Sequence, residues 1–212
     1  MQFIPQPILA DYVVDLIRHG GFIMWPIGVV FFFAVAVICE RLWWWLQYSR
    51  NRRPHDLESA LTAMDAGDMT LAQNICADST DAVLRVVHAG LTHRHASLQG
   101  ALQAAAGIEI RLAGRFLTAM DTIITLAPLL GLLGTVTGIM RSFTSIGGSD
   151  LAVEKVSGGI GEALIATAFG LGIAIVTLIP YNWFHAKVAT LQHDIETAAN
   201  NVEVLTAAKR VS

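Results

Sequence analysis

One carboxylate and four threonines are the side chains of the apolar segments that could handle protons. Glu162 is the one charged residue between Gly159 and Ile179. Ionisable groups within membranes usually face a cavity, a partner or a proton path. If the membrane segment were shifted by a few residues, Glu162 would instead lie at the outer interface. The four threonines are Thr135, Thr137, Thr167 and Thr177.

The threonine hydroxyls have two possible roles. They could hold water or pass a proton. The commoner role of a threonine in an apolar helix is to bond back to the carbonyl of the preceding turn, and the sequence alone favours it. Thr167 lies about 140° around a helix from Glu162. A single helix face therefore does not carry both residues.

Enzyme and cofactor chemistry have no support in this sequence, so we predict that the chain is not an enzyme. It contains no nucleophile elbow, phosphate-binding loop, paired catalytic carboxylates or Cys-x-x-Cys motif. The 7 histidines are scattered, so we expect neither a metal site nor a cofactor. Cys39 and Cys76 are predicted to be free thiols. A net charge of −3 argues against a nucleic-acid partner.

Composition predicts an all-α membrane protein, because only 15% of the residues are charged, against roughly 25% in soluble domains. Three apolar runs are each long enough to cross a bilayer as a helix. The predicted segments are an N-terminal periplasmic or interfacial segment (1–19), transmembrane helix 1 (20–39), a cytoplasmic helical segment (40–115), transmembrane helix 2 (116–141), a short periplasmic connection (142–157), transmembrane helix 3 (158–180) and a cytoplasmic C-terminal helical tail (181–212).

The distribution of cations predicts the orientation of these segments. Segment 40–115 holds eight arginines, whereas the connection 142–157 has Lys155 and Arg18 is the cation of the N-terminal segment. The positive-inside rule therefore puts segment 40–115 and the tail in the cytoplasm and the N-terminus in the periplasm. We expect segment 40–115 to form a pair of helices that continue into the spans, with breaks at 67–68 and 78–81. Its apolar content is expected to be too thin for a large separate core.

A stripe of small or polar residues marks the second span. Its members are spaced 3, 4, 3 and 4 residues apart and fall within roughly 80° of a helix: Pro128, Gly131, Thr135, Gly138 and Ser142. Such a stripe serves either close helix packing alone or the lining of a narrow path. The third span has two faces of small or polar residues and little left for lipid, which predicts an oligomer or a membrane partner. The predicted helix-packing residues are Pro128, Gly131, Gly134, Gly138 and Gly170.

The sequence of these spans resembles the MotA/TolQ/ExbB proton-channel family. Ala-Pro-Leu-Leu-Gly-Leu-Leu-Gly-Thr-Val-Thr-Gly-Ile-Met at 127–140 and Gly-Ile-Gly-Glu-Ala-Leu-Ile-Ala-Thr-Ala-Phe-Gly-Leu at 159–171 carry the resemblance. The Gly-Phe-Ile-Met-Trp-Pro-Ile entry at 21–27 and the Glu-Arg-Leu exit at 40–42 are most similar to short ExbB-type members. The resemblance covers all three spans.

The resemblance implies a subunit of an inner-membrane motor driven by the proton motive force. It implies a homo-oligomer, typically a pentamer, around a central pore that holds a single-span ExbD-type partner, whose Asp takes and releases protons. A TonB-type transducer would pass the motion to outer-membrane receptors. Carried over by position, Thr135, Thr167 and Glu162 would line the proton pathway. Alternatives are a TolQ-like subunit for envelope integrity and, from another class, a non-conducting membrane scaffold.

Overall fold

In the computed structural model, which describes residues 21–144 and 152–211, every regular element is an α-helix. In chain order the helices are α1 (Met24–Arg50), α2 (Pro54–Ala66), α3 (Met69–Ala77), α4 (Ala82–Thr92), α5 (Arg94–Ala113), α6 (Leu117–Thr144) and α7 (Ala152–Val211). Three helical segments are long and apolar enough to cross a membrane, with mean hydropathies of 1.9, 2.0 and 2.2. The prediction of an all-α protein with three spans is therefore confirmed. The predicted segment 1–19 and residues 145–151 of the predicted connection lie outside the described residues.

The chain forms two compact units. The first unit comprises the described parts of Met1–Cys39 and Thr118–Tyr181, and the second comprises those of Glu40–Leu117 and Asn182–Ser212. The helices α1 and α7 each contribute residues to both units.

The core of the first unit is built from three helices. Its buried residues are Met24, Ile27 and Ala34 of α1, Ile123 and Ala127 of α6, and Ala166 and Ile173 of α7. Large apolar side chains cover the outside instead, as at Trp25 (77% exposed) and Phe32 (76% exposed). An exposed apolar surface of this extent is expected where a protein faces lipid.

Within the single chain, the third span keeps large apolar side chains on its outer surface. Leu164, Ile175 and Ile179 of α7 are 60% or more exposed. Both of the small faces recognised in the sequence instead point inward, since Ala163 and Ala166 are each buried within the chain. Both alanines pack against glycines of α6.

The second unit contains more helices than the sequence predicts. Residues 54–113 form four helices, α2 to α5, so the expected pair is wrong. The two predicted breaks are confirmed. Gly67 ends α2 with φ of 89°, and Asp68 accepts a hydrogen bond from the Leu71 N–H as the N-cap of α3. Asp81 caps α4 in the same way, through the Val83 N–H.

The second unit also has a substantial core, contrary to the expectation of thin apolar content. A large part of the core lies on α4, which is buried on nearly every side; Val83, Leu84, Val86, Val87 and Leu91 are each at most 2% exposed. The tail end of α7 is helical, as predicted, and buries Leu191, Ile195, Ala198 and Val202. A short helix that is buried on all sides holds many apolar residues in a few turns. Averaged over the whole of segment 40–115, the same residues amount to a low apolar content.

A buried arginine caps the end of α5. Arg41 of α1 is 1% exposed and donates hydrogen bonds to the carbonyls of Leu112 (3.2 Å) and Ala113 (3.4 Å), the last residues of that helix. The guanidinium also lies 5.7 Å from the ring centre of Phe116, whose φ is 65°. A cation satisfies the free carbonyls of a helix C-terminus. The turn at 114–116 interrupts the predicted continuation into the second span.

Candidate functional site

Thr167 joins α7 to α6 through its hydroxyl group. The hydroxyl donates a hydrogen bond to the backbone carbonyl of Gly131, 2.8 Å away. Gly131 allows this approach because it has no side chain; a β-carbon there would lie 2.9 Å from the Thr167 Cα. Thr167 therefore departs from the commoner role of a helical threonine and links two helices.

Close contact between α6 and α7 extends along both helices. A β-carbon on Gly134 would lie 2.6 Å from the Ala166 Cβ, and one on Gly138 would lie 2.8 Å from the Ala163 Cβ. On α7, a β-carbon on Gly170 would lie 2.5 Å from the Ala127 carbonyl oxygen. Small residues let the two backbones approach as glycine-mediated membrane helix pairs do. Pro128 lies half-buried within α6.

The other threonines bond back within their own helices. The hydroxyl of Thr135 donates to the Leu132 carbonyl at 2.7 Å, and that of Thr137 donates to the Leu133 carbonyl at 2.9 Å. Thr177 does the same with the carbonyl of Ile173 and is buried. The sequence favoured a bond back to the carbonyl of the preceding turn, and that role is confirmed for these three threonines. Thr135 is half-buried and retains some exposed surface.

Glu162 lies beside an arginine and a glycine that sequence reasoning missed. Its side chain is 32% exposed, and its Oε1 atom lies 3.8 Å from Nη1 of Arg141 on α6. The carboxylate also packs against Gly21, where a β-carbon would overlap it; Gly21 has a φ of +68° that favours glycine. The signal in the sequence was the position of Arg141, the first charged residue after the apolar run of the second span.

The structure does not bring the three predicted pathway residues into one contact. Thr167 faces Gly131, whereas Glu162 faces Arg141 and Gly21. Within the described residues, Glu162 makes no hydrogen bond to either Thr135 or Thr167, and no cluster of three or more His, Cys, Asp or Glu could hold a metal. The site of a single chain thus consists of a partly exposed carboxylate and a tightly packed helix pair.

Three helices that are long and apolar enough to cross a membrane, two of them closely packed through glycines, define a polytopic membrane protein, and its third apolar helix carries a partly exposed carboxylate. Residues 78–197 match the MotA/TolQ/ExbB proton channel family. The chain is 38% identical over 174 residues to the biopolymer transport protein ExbB-like 3 of Synechocystis, covering 79% of this chain and 82% of that protein. It therefore belongs to the MotA/TolQ/ExbB proton channel family, and the resemblance noted in the sequence is confirmed.

Two further relatives cover less of the chain. The biopolymer transport protein ExbB of Neisseria gonorrhoeae is 39% identical over 89 residues, which are 42% of this chain and 40% of that protein. The Tol-Pal system protein TolQ of Haemophilus influenzae is 41% identical over 76 residues, 35% of this chain and 33% of that protein. The family is one of membrane proton channels rather than of enzymes.

Proposed function

We propose that this chain is the proton-channel subunit of an inner-membrane motor that uses the proton motive force to energise TonB-dependent outer-membrane transport. The observation that carries the proposal is Glu162, a carboxylate that remains 32% exposed within the apolar part of α7. A charged group that faces hydrocarbon is costly, so such a group usually faces a cavity, a partner or a proton path.

We expect another chain to cover the exposed part of Glu162. Within the described residues, Glu162 has Arg141 and Gly21 as neighbours and still keeps an exposed surface. Thr135 and Thr167 are likewise half-buried. These observations support a homo-oligomer, with a pentamer as the expected form, and a single-span ExbD-type partner that carries the proton-binding Asp.

The proton pathway is proposed to run between chains. Thr167 contacts Gly131, whereas Glu162 contacts Arg141, so the polar groups of one chain do not form a continuous path through both residues. A partner helix in the centre of the oligomer would face the exposed parts of Thr135, Thr167 and Glu162 from several copies. The hydroxyls would then hold the partner's carboxylate and water, and Glu162 would pass protons at one end.

An ExbB-like role is preferred over a TolQ-like role. The ExbB-like 3 relative covers 79% of this chain, whereas the TolQ relative covers 35%. The arginines of segment 40–115 support an N-terminus in the periplasm and a C-terminus in the cytoplasm. The TonB-type transducer is the expected recipient of the motion, and the bilayer is expected to be the bacterial inner membrane.

The test measures uptake that depends on the proton motive force, in cells that carry Glu162→Gln, Thr135→Val or Thr167→Val. Each variant has a matched control: Asp121→Asn for the carboxylate, and Thr137→Val for the hydroxyls, since Thr137 makes the same back-bond on α6. Thr167→Ser keeps the hydroxyl that bonds to Gly131 and removes the methyl group, so it tests whether the hydroxyl alone is sufficient. Membrane levels and co-purification with the partner are measured in parallel.

We expect the first three variants to lower uptake about tenfold or more while the protein still inserts and binds its partner. The controls and Thr167→Ser should keep near-normal uptake. A non-conducting scaffold would tolerate Glu162→Gln and Thr135→Val together, so normal uptake in that double variant contradicts the proposal. Equal losses in Asp121→Asn and Glu162→Gln would also contradict it, because the position of the carboxylate would not matter.

A further inference from the structure

Glu162 has a positively charged neighbour that uptake and release of a proton do not by themselves require. Nη1 of Arg141 lies 3.8 Å from Oε1 of Glu162. The arginine side chain is 62% exposed, and an ion pair with an exposed member contributes little to the stability of a fold. The position of this arginine therefore has to be explained by something other than stability.

Close packing of α6 and α7 holds the backbone on both sides of the ion pair. Arg141 lies three residues after Gly138 on α6, and Glu162 directly precedes Ala163 on α7. A β-carbon on Gly138 would lie 2.8 Å from the Ala163 Cβ, so the two backbones are in close contact beside the pair. The two charges therefore extend from backbone whose separation is fixed by packing.

The start of α1 adds a partial positive charge to the surroundings of the carboxylate. Oε1 of Glu162 packs against Gly21, where a β-carbon would overlap it. The Gly21 carbonyl accepts a hydrogen bond from the N–H of Met24, the first residue of α1. The N-terminal end of a helix carries partial positive charge. A guanidinium and a helix N-terminus thus lie beside the same carboxylate oxygen.

All three groups lie at the same end of the spans. Gly21 precedes the span of α1, Arg141 directly follows the uncharged run 122–140, and Glu162 lies near the start of the run 159–179. In the proposed orientation this end faces the periplasm. It is then the end at which ions driven by the proton motive force enter the proposed pathway.

We propose that Arg141 makes the Glu162 site selective for protons over sodium ions, an inference that rests on the proposed function of Glu162 in a proton pathway. Rings of Asp or Glu side chains attract cations and select for them in cation channels, whereas an arginine in a pore is a barrier to cations. In a homo-oligomer each copy adds one Arg141 for each Glu162. The ring of carboxylates at the entrance is thereby neutralised.

The two ions differ in what happens to their charge at this site. A sodium ion stays charged and has to approach the Glu162 carboxylate beside the guanidinium, which repels it. A proton delivered by water instead bonds to a carboxylate oxygen and forms a neutral carboxylic acid. The acid later returns the proton to the next acceptor along the path and becomes a carboxylate again. Arg141 therefore acts against the metal ion at every step and against the proton only before it is bound.

The test measures ion influx into liposomes that contain the full-length protein co-purified with its single-span partner. A pH-sensitive dye reports protons, a sodium-sensitive dye reports sodium, and choline influx reports a general leak. The variants are Arg141→Gln, Arg141→Lys and the double variant Arg141→Gln with Glu162→Gln. The matched control is Arg115→Gln, which removes an exposed arginine at the other end of α6, where the guanidinium lies 4.6 Å from the ring centre of Phe116.

We expect wild type, Arg141→Lys and Arg115→Gln to carry protons and to exclude sodium. Arg141→Gln should raise sodium influx about tenfold over wild type, with no rise in choline influx. The double variant should lose that rise, because no carboxylate remains to attract sodium. Arg141 is 62% exposed, so its substitution leaves the fold intact.

The outcomes separate this inference from the function on which it rests. If wild type carries protons but sodium influx in Arg141→Gln stays within about twofold of wild type, the selectivity role is overturned and the proposed function stands. An equal rise in Arg115→Gln, in Arg141→Lys or in choline influx also overturns that role, because the positive charge at this position would not be the cause. An intact wild-type complex that carries no protons contradicts the proposed function, and the inference fails with it.

Discussion

Replacing Gly170 by alanine should separate α6 from α7. The added β-carbon would lie 2.5 Å from the Ala127 carbonyl oxygen and 3.1 Å from the Gly131 Cα. Ordinary contact begins at 3.4 Å, so the backbones must move apart by about 0.9 Å at this point. The obstacle is backbone rather than a flexible side chain, which means that no rotamer change can relieve the overlap.

The expected destabilisation follows from two effects. Overpacking of a close-packed interface costs about 1 to 3 kcal/mol. The shift also stretches the hydrogen bond from Thr167 to the Gly131 carbonyl, now 2.8 Å, and interhelical bonds of this kind are worth about 0.6 kcal/mol in membranes. Better helix propensity returns up to about 1 kcal/mol. We therefore expect a net loss of about 1 to 3 kcal/mol in the free energy of unfolding.

Gly172 offers the matched control on the same helix, because a β-carbon there meets no atom within 4 Å. Thermal unfolding in detergent should show Gly170→Ala melting lower than wild type, by about 2 to 4 °C for each kcal/mol. Gly172→Ala should melt at or above wild type. If Gly170→Ala were as stable as Gly172→Ala, the close approach of the two helices would be refuted.

Two further predictions concern the second unit. Asp81→Ala should destabilise the protein by about 2 to 4 kcal/mol, because the buried carboxylate accepts two backbone hydrogen bonds. Asp68 is an exposed cap with one such bond, so Asp68→Ala should cost about 1 kcal/mol. Denaturant titration of the two variants measures both losses. Burial, reinforced by the charge of a nearby carboxylate, raises the pKa of the Cys76 thiol from 9.0 to about 11. Between these two pH values the folded chain keeps a proton that the unfolded chain releases. The free energy of unfolding should therefore fall as the pH rises from 9 to 11. In a Cys39→Ser background, iodoacetamide should modify folded Cys76 about a hundredfold more slowly than the unfolded thiol at pH 8, and equal rates would show that the thiol is not buried.

The three spans and the small-residue stripe of α6 follow from the sequence alone. Membrane helices satisfy their own backbone hydrogen bonds, so length and apolar composition are sufficient to recognise them. The spacing of Gly131 and Gly138 likewise marks one helix face, whatever that face contacts. The family motifs at 127–140 and 159–171 lie within these regular segments, which is why the resemblance could be recognised before the fold was known.

Tertiary structure alone decided the partners of those residues. Arg41 counted in the sequence as one more cation near a span, yet it is buried and caps a helix whose last residues lie 71 and 72 positions away. Arg141 was likewise one charge after an apolar run, and only the packing of α6 beside α7 brings it to Glu162.

The physical reason for this division is the range of the forces involved. Helix formation and membrane burial depend on neighbours within a few residues, so local composition and periodicity predict them. Ion pairs, helix caps supplied from another helix and the contact of Thr167 with Gly131 depend on which surfaces meet. That choice belongs to the packed chain as a whole, and no local pattern in the sequence specifies it.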